Sequence, residues 1–294
     1  MNNRSAGKIQ LGSYDDLFGG SGEQVKSVPL EELHTFRNHP FKVLDNEKME
    51  ELAESIKQYG VLMPGIARPR LEGGYEIIAG HCRKRGSELA GLKEMPVFVR
   101  NYSDDEAVVI MVDTNIQRED LLPSEKARAY RMKFEALRHQ GKNTGKHTFD
   151  EIGETAGESG KTVQRYIWLS RLNDELLDMV DSKKLGIVQG INISFLSELQ
   201  QEWVMDIILE QKIKVSNWQS EELKNCSKEG KLTVSVVKQI LDKQTENTEK
   251  EKMVSKVTIK SDTLTQFFPP EYTEEEIREV ILQLLEDWRK QTTN

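Results

Sequence analysis

The sequence predicts an α+β domain followed by an all-helical region and a small C-terminal strand-helix element. Short strand-like runs alternate with amphipathic helices through about residue 118, the pattern is helical from residue 123 onward, and a charged stretch precedes the last segment. Mixed short strands and helices in one region are typical of an α+β domain, and 294 residues suffice for about two domains and a small third one. We therefore expect a flexible tail at 1–25, an α+β domain at 26–120, a helical domain at 121–244, a linker at 245–256 and a C-terminal element at 257–294.

The composition excludes several classes of protein. Hydrophobic residues make up 37% of the chain and charged residues 31%, and the formal net charge is −8. No apolar run reaches the ~20 residues of a membrane helix, and two cysteines make no disulfide framework. We expect a cytoplasmic protein with no membrane partner. Residues 121–190 alone are net basic, with 12 basic and 10 acidic side chains, which favours a phosphate backbone as partner.

The first domain is predicted element by element from hydrophobic spacing and from glycines. Met49, Leu52 and Ile56 recur at helical spacing over residues 48–59, and Gly60 ends that helix. The same reasoning predicts strands at 66–70, 75–79 and 95–100, a hairpin turn at 72–74, a helix at 81–90 and a further helix capped at 103–106.

The helical region contains a candidate helix-turn-helix at residues 149–172. Ile152 and Ala156 are expected to be buried in its first helix, Gly153 allows the two helices to approach, and Gly157 permits a turn with positive φ. The second helix would carry outward groups suited to phosphates and base edges in a major groove: Ser159, Lys161, Thr162, Gln164 and Arg165. An αα-hairpin in a helical bundle is the alternative.

A phosphate-binding loop of the Walker type is a competing interpretation of two nearby segments. Residues 155–162 match its pattern except that Thr155 replaces the first glycine, and residues 141–148 are one residue short between glycines. A Walker loop follows a buried strand, whereas these segments are predicted to be helical or to lie in a loop. We therefore favour the helix-turn-helix.

Two further segments have the chemistry of an anion or metal site. Gly80 ends a strand before a helix that carries Arg83 and Arg85, and a helix start offers unpaired N–H groups to a phosphate. A surface basic cluster is the alternative. Residues 113–120 place Asn115 and carboxylate oxygens beside Arg118, and such oxygens suit Mg²⁺.

The last segment is predicted to begin with a strand at 257–259 and to end in a helix from Thr273 to Lys290. Ile277, Ile281, Leu284 and Trp288 follow a 4-3-4 spacing typical of a coiled-coil seam. An element this small does not bury such a row by itself. We expect homodimerisation, with docking on the central domain as the alternative.

Taken together, these segments resemble the ParB/Noc-type (ParB/RepB) partition-protein family over about residues 26–190. The resemblance rests on an ordered set of motifs: Val28-Pro29-Leu30, residues 52–57, 60–64, 80–85, 89–93 and 115–120, followed by the helix-turn-helix. It implies an N-terminal ParB domain with a sulfiredoxin-like fold, a helical DNA-binding domain and a C-terminal dimerisation element. It also implies binding of CTP with Mg²⁺, loading at a centromere-like site on double-stranded DNA, closure into a sliding clamp and a ParA-type ATPase partner.

The resemblance also implies site residues. The nucleotide-binding positions would be Gly60, Val61, Leu62, Met63, Pro64, Gly80, His81, Cys82, Arg83, Arg85, Asn115, Gln117 and Arg118, with Asn115 also the Mg²⁺ ligand. The 80–85 segment matches the family's G-E-R-R-x-R box, and the 114–118 segment matches its E-N-L-Q-R box.

Four positions depart from the family pattern. His81 replaces the glutamate and Cys82 an arginine of the phosphate box, Phe41 replaces an arginine, and Thr114 replaces the glutamate associated with hydrolysis. A threonine is no general base near neutral pH, so catalytic residues stay unassigned. Sulfiredoxin has a catalytic cysteine in a G-C-H-R box, but Cys82 is shifted by one position.

The sequence therefore predicts a site-specific DNA-binding partition protein acting in plasmid or mobile-element segregation, as a CTP- and Mg²⁺-gated clamp. Two alternatives stay open. One is a ParB-like transcriptional regulator that binds DNA without nucleotide. The other is a phosphotransferase or a sulfiredoxin-like enzyme on the same fold.

Overall fold

A computed structural model describes residues 25–118, 120–140, 146–242, 264, 267–269 and 271–292. The chain divides into two compact units, Met1–Asp242 and Lys243–Asn294. The predicted linker at 245–256 and the strand at 257–259 lie outside the described residues. None of the described helices is long and apolar enough to cross a membrane.

The described part of the first unit contains one mixed sheet of five short strands. They are β1 (Val25–Pro29), β2 (Leu33–Thr35), β3 (Gly65–Pro69), β4 (Tyr75–Ala79) and β5 (Glu94–Val99). The order is β1-β5-β3-β4-β2; β1–β5 and β3–β4 pair antiparallel, and β5–β3 and β4–β2 pair parallel. Val25 pairs with Phe98, so its assignment to the flexible tail was wrong: cross-strand pairing places it in the sheet.

Three helices complete the α+β region. They are α1 (Glu47–Tyr59), α2 (His81–Leu89) and α3 (Asp104–Asp113). Asn46 caps α1, Gly60 ends it with a φ of +73°, and Ser103 and Glu106 form the predicted capping box of α3. The bounds of these helices therefore follow the local signals in the sequence. β1 and β2 were not predicted; β2 has only three residues, too few to show an alternating pattern.

The rest of the first unit is helical. It comprises α4 (Pro123–His139), α5 (Lys146–Ala156), α6 (Gly160–Leu169), α7 (Asp174–Asp181), α8 (Ile187–Ile193), α9 (Glu198–Gln211), α10 (Asn217–Lys228) and α11 (Val234–Asp242). Pro123 occupies the first turn of α4, as predicted. A large apolar core formed from α6 to α11 includes Leu176, Val204 and Leu223, all fully buried.

A second core crosses residue 120, where the sequence suggested a domain boundary. It joins Ile110 and Met111 of α3 to Tyr130 of α4, Ile152 of α5 and Val163 of α6. Because these side chains pack in one cluster, α3 and the helix-turn-helix share a core. This shared core fixes the α3 end of the α+β region against the candidate DNA-binding helices.

The described part of the second unit is mainly one helix, α12 (Glu274–Thr292). At its start, the Thr273 backbone N–H donates to the Glu276 carboxylate, and the Glu276 backbone N–H donates to the Thr273 hydroxyl. Two apolar residues of α12, Leu284 and Leu285, are exposed, with 63% and 55% of their surfaces accessible.

Candidate functional site

The junction between β4 and α2 is built around Gly80. Its φ of +108° is unfavourable for any residue with a Cβ. A Cβ there would also lie 3.2 Å from the Gly65 Cα and 3.2 Å from an Arg83 nitrogen. Gly80 offers α2 no side-chain cap, and the first N–H groups of a helix have no acceptor within the helix itself. The predicted strand-glycine-helix junction is confirmed.

A cavity of about 150 Å³ opens at this junction. Its walls come from three separate stretches of sequence: the segment before α1, the β4–α2 junction and the segment after α3. The lining residues are His39, Val43, Ala79, Gly80, His81, Cys82, Arg83, Thr114, Asn115 and Arg118. Six of the predicted nucleotide-binding residues therefore meet in one place, namely Gly80, His81, Cys82, Arg83, Asn115 and Arg118.

Two histidines line the same cavity with their rings in contact, tilted by 41° to each other. The ring centroids of His39 and His81 are 3.8 Å apart, and His81 is only 9% exposed. Burial lowers the pKa of His81 to about 3, with His39 and Lys84 adding to the effect, and burial also lowers the pKa of His39. Both rings are therefore neutral at physiological pH. No motif in the sequence marked His39, because only the fold brings its segment to the end of β4.

Arg83 connects the cavity to the predicted nucleotide-lining loop. Its Nη1 donates to the carbonyl oxygens of Met63 and Pro64, both at 2.7 Å. The loop itself does not line the cavity: Val61 packs against the sheet core, and Leu62 is 77% exposed. Within this fold, residues 60–64 therefore lie beside the site and are tied to it through Arg83.

Two predicted nucleotide-binding residues face away from the cavity. Arg85 makes two bonds to the Asp45 carboxylate at 2.9 and 2.6 Å, which lower the pKa of that carboxyl group. Gln117 donates to the Thr155 carbonyl oxygen at 2.8 Å. Helical periodicity explains the placement of Arg85, because residues two apart on α2 point in different directions.

The segment after α3 presents an amide oxygen to the cavity. Asn115 uses its side-chain nitrogen to donate to the Met111 carbonyl oxygen at 2.8 Å and to the Thr114 hydroxyl at 3.2 Å. The Thr114 hydroxyl in turn donates to the Ile110 carbonyl oxygen at 2.9 Å. Oδ1 is thus the polar atom of Asn115 that these bonds leave for a ligand. The described residues contain no cluster of three or more His, Cys, Asp or Glu suited to a metal ion.

The segment predicted to be a helix-turn-helix contains two helices, α5 and α6, joined by a short turn. Gly157 has a φ of +68°, and a Cβ on Gly153 would lie 2.2 Å from the Glu158 carbonyl oxygen. The Glu158 carboxylate accepts from Lys126 at 2.7 Å and from the Tyr130 hydroxyl at 2.8 Å. Burial, with Glu158 beside it, raises the pKa of Tyr130. These contacts fix the turn on α4 and contradict a Walker loop at 155–162, since helix α5 precedes it instead of a strand.

The second helix presents the predicted polar face. Ser159 caps α6 by accepting from the Thr162 backbone at 3.2 Å, and it is exposed together with Lys161 and Arg165. Thr162 and Gln164 are half-buried. Val163 is fully buried as expected, whereas Ala156 is only half-buried because it ends α5 at the turn.

Comparison with known proteins identifies relatives of this chain. A family model described as the ParB N-terminal domain matches residues 17–116. The probable chromosome 1-partitioning protein ParB of Deinococcus radiodurans is 35% identical over 64% of this chain, and the aligned part is 62% of its own length. The probable chromosome-partitioning protein ParB of Vibrio cholerae is 30% identical over 86% of this chain and 83% of its own.

Two solved structures of C-terminally truncated ParB from Caulobacter crescentus are also similar. One is complexed to the centromeric parS site, with 27% identity, 68% of this chain and 98% of that chain covered, and a TM-score of 0.42. The other is complexed with CTP-γ-S, with 29% identity, 60% and 94% covered, and a TM-score of 0.31. The sequence matches to the family model and to relatives along most of their length show that this chain belongs to the ParB partition-protein family.

Proposed function

We propose that this chain is a DNA-binding partition protein whose α+β region binds the phosphates of a nucleotide. The observation that carries the proposal is the single cavity in which the 80–83 and 114–118 segments meet. These segments are about 30 residues apart in sequence and belong to two different family motifs. Their convergence at a helix N-terminus, with Arg118 beside it, is what an anionic ligand requires.

CTP is the nucleotide we propose, with Mg²⁺. The Caulobacter relative was solved with CTP-γ-S, and the resemblance of the two motifs supports the same ligand here. The N–H groups at the start of α2 and the Arg118 guanidinium would hold phosphate oxygens. Asn115 Oδ1 would be one ligand of Mg²⁺, which usually takes its other ligands from phosphates and water. Mg²⁺ would neutralise phosphate charge.

Hydrolysis of the nucleotide is not part of the proposal. Thr114 occupies the position of the family glutamate, and its hydroxyl already donates to the Ile110 carbonyl oxygen. It therefore offers neither a carboxylate to Mg²⁺ nor a base to a water molecule. We expect binding of CTP with little release of phosphate.

The helix-turn-helix would place α6 in the major groove of double-stranded DNA. Lys161 and Arg165 are exposed on successive turns of that helix, where they reach phosphates or base edges. The Caulobacter relative was solved on its centromeric parS site. We propose a centromere-like site as the DNA target of this chain.

The remaining assignments follow the family. We propose clamp closure, a ParA-type ATPase as partner and a homodimer through α12. The relatives are named for chromosome partitioning, whereas the departures at Phe41, His81, Cys82 and Thr114 led us to predict a plasmid or mobile element. That context stays a prediction, and a gene for a ParA-type ATPase beside this one on a plasmid would support it.

Calorimetry tests nucleotide binding directly. We expect Mg²⁺-CTP to bind in preference to the Mg²⁺ complexes of ATP, GTP and UTP. Arg118→Ala should weaken CTP binding about 10- to 100-fold, since a hydrogen bond to a charged group is worth roughly 1.5–3 kcal/mol. Arg128→Ala is the matched control, because Arg128 pairs with Asp174 outside the cavity. If no nucleotide binds, with or without DNA, the proposed clamp mechanism is wrong. The alternative is then a ParB-like regulator that binds DNA without nucleotide.

DNA binding is tested by fluorescence anisotropy at several salt concentrations. Arg165→Ala should weaken binding to the cognate site, and Lys161→Ala should reduce the slope of log K against log salt by about 1 if Lys161 contacts a phosphate. Lys57→Ala is the control, because Lys57 is exposed on α1 and pairs with Glu54. Unchanged binding in both helix variants would favour a small-molecule enzyme on this fold.

A further inference from the structure

Each of the two histidines of the cavity has a buried ring nitrogen for which the described residues supply no hydrogen-bond partner. Within the described part of the chain, neither His39 Nε2 nor His81 Nε2 has one. Both residues line the cavity, and His81 is more than nine-tenths buried. A buried polar atom without a partner costs roughly 1–3 kcal/mol, so the pair indicates a place where a ligand supplies the missing bond.

The contact with Phe41 determines which ring nitrogen of His39 carries the proton. The Phe41 carbonyl oxygen lies 2.7 Å from His39 Nδ1. A carbonyl oxygen only accepts, so Nδ1 must carry the proton and donate. Because burial keeps the ring neutral, Nε2 then has a lone pair and no proton. His39 Nε2 is therefore a buried acceptor on a residue that lines the cavity.

The backbone around His39 holds the ring in this position. Asn38 has a φ of +58°, a left-handed conformation that is uncommon for a residue with a side chain. Phe41 is 3% exposed and packs in the core shared with α3. The turn at Asn38 and the buried Phe41 ring fix both ends of the His39 segment. On the other side, the His81 ring lies against the His39 ring, with the ring centroids 3.8 Å apart and the planes tilted by 41°.

An acceptor is the wrong partner for a fully ionised phosphate oxygen, which also only accepts. It is the right partner for a hydroxyl or an amino group. We propose that His39 Nε2 accepts a hydrogen bond from an O–H or N–H group of the nucleoside part of the ligand. The cavity then selects a phosphate ester that carries such a donor over a bare polyphosphate. This inference rests on the proposed nucleotide binding and adds a selectivity residue outside the predicted set.

The tautomer is measurable on the free protein. Long-range ¹H–¹⁵N correlation spectra of the full chain with ¹⁵N-labelled histidine, assigned with a His39→Gln variant, distinguish Nδ1–H from Nε2–H rings. We expect His39 to be protonated at Nδ1 alone at pH 8, with its Nε2 resonance moving when Mg²⁺-CTP is added. The proposal is overturned if the His39 ring is protonated at Nε2. It is also overturned if the Nε2 resonance does not move at a saturating concentration of Mg²⁺-CTP.

Calorimetry at pH 8 tests the selectivity, with Mg²⁺-CTP and Mg²⁺-tripolyphosphate as the two ligands. His39→Phe removes the acceptor but keeps a ring, and we expect it to weaken CTP binding about tenfold while tripolyphosphate binding changes less than twofold. His39→Gln keeps an acceptor oxygen and should restore part of the loss. His34→Phe makes the same change on exposed strand β2 and should have no effect.

The outcomes separate the two proposals. An equal loss for both ligands, or no loss for either, overturns the role of His39 while nucleotide binding stands. If the wild-type chain binds neither ligand, the nucleotide proposal itself fails, and the selectivity proposal fails with it. Should His39→Phe not fold by circular dichroism, His39→Gln and the tautomer spectra still decide.

Discussion

Lys133 Nζ lies 2.5 Å from Asp113 Oδ1 and 2.9 Å from Thr155 Oγ1. Asp113 ends α3 two residues before Asn115, and Thr155 belongs to the first helix of the helix-turn-helix. The Thr155 carbonyl oxygen also accepts from Gln117. One buried ammonium group thus joins the segment that carries the candidate Mg²⁺ ligand to the candidate DNA-binding helices. The two candidate sites are therefore connected by polar bonds as well as by a shared core.

Lys133→Met should destabilise the protein by about 3–5 kcal/mol, because it leaves the Asp113 carboxylate buried without its partner. Lys133 and Asp113 side chains are only 4% and 13% exposed. The double variant Asp113→Leu with Lys133→Met should recover most of this loss, since no unpaired charge stays behind. Urea denaturation measures both. If the single variant costs less than about 1 kcal/mol, the pair does not hold the helices together.

Gly153→Ala should cost more stability than Gly157→Ala. A Cβ at Gly153 would lie 2.2 Å from the Glu158 carbonyl oxygen, so the two helices must separate. At Gly157 nothing lies within 4 Å and only the positive φ is unfavourable, a cost of about 1 kcal/mol. Thermal unfolding and DNA affinity should both rank the variants in this order. Gly91→Ala, with a φ of +76° and open space around it, is the control for the backbone cost.

His81 should make the protein less stable as the pH falls below about 6.5. Its pKa is lowered to about 3 in the folded state by burial. Between pH 3 and 6.5 the unfolded chain therefore binds a proton that the folded chain does not. The free energy of unfolding then falls by up to about 1.4 kcal/mol per pH unit on acidification through this range.

His81→Phe should reduce that slope, measured as the difference in unfolding free energy between pH 7 and pH 5. His39 shifts in the same direction, so some pH dependence should stay. His34→Phe on the exposed strand is the comparison and should leave the slope unchanged. An identical slope in His81→Phe and the wild type would show that His81 takes up its proton in the folded state.

Leu284→Asp should convert a homodimer to a monomer if α12 forms the dimer interface. Leu284 is 63% exposed and belongs to the row of Ile277 and Ile281. A charge in the middle of an apolar interface is not compensated, so association should weaken at least 100-fold. Gln283→Asp adds a charge on the adjacent position, outside the row, and should leave the dimer intact. Analytical ultracentrifugation of the full chain decides; a wild-type monomer would contradict the dimer.

The sequence by itself determined three of the five described strands, the helices that carry the candidate sites, and the family. Spacing of apolar residues, Gly60, the Ser103–Glu106 box and Pro123 are local signals, and each acts on the backbone within a few residues of itself. The helices α5 and α6 and the turn between them could be predicted for the same reason, since Gly153 and Gly157 shape this turn locally. The ordered motifs then identified the ParB family, including the Gly80 junction.

Tertiary structure alone decided which of these residues share a site. It placed Arg85 on Asp45 and Gln117 on Thr155, away from the cavity, although both belong to matching motifs. It also brought His39 from 42 positions upstream into ring contact with His81. Long-range strand pairing and a common core make these contacts, and neither leaves a periodic signal in the chain. His39 Nε2 and His81 Nε2 have no hydrogen-bond partner among the described residues because the fold buries the two imidazole rings together.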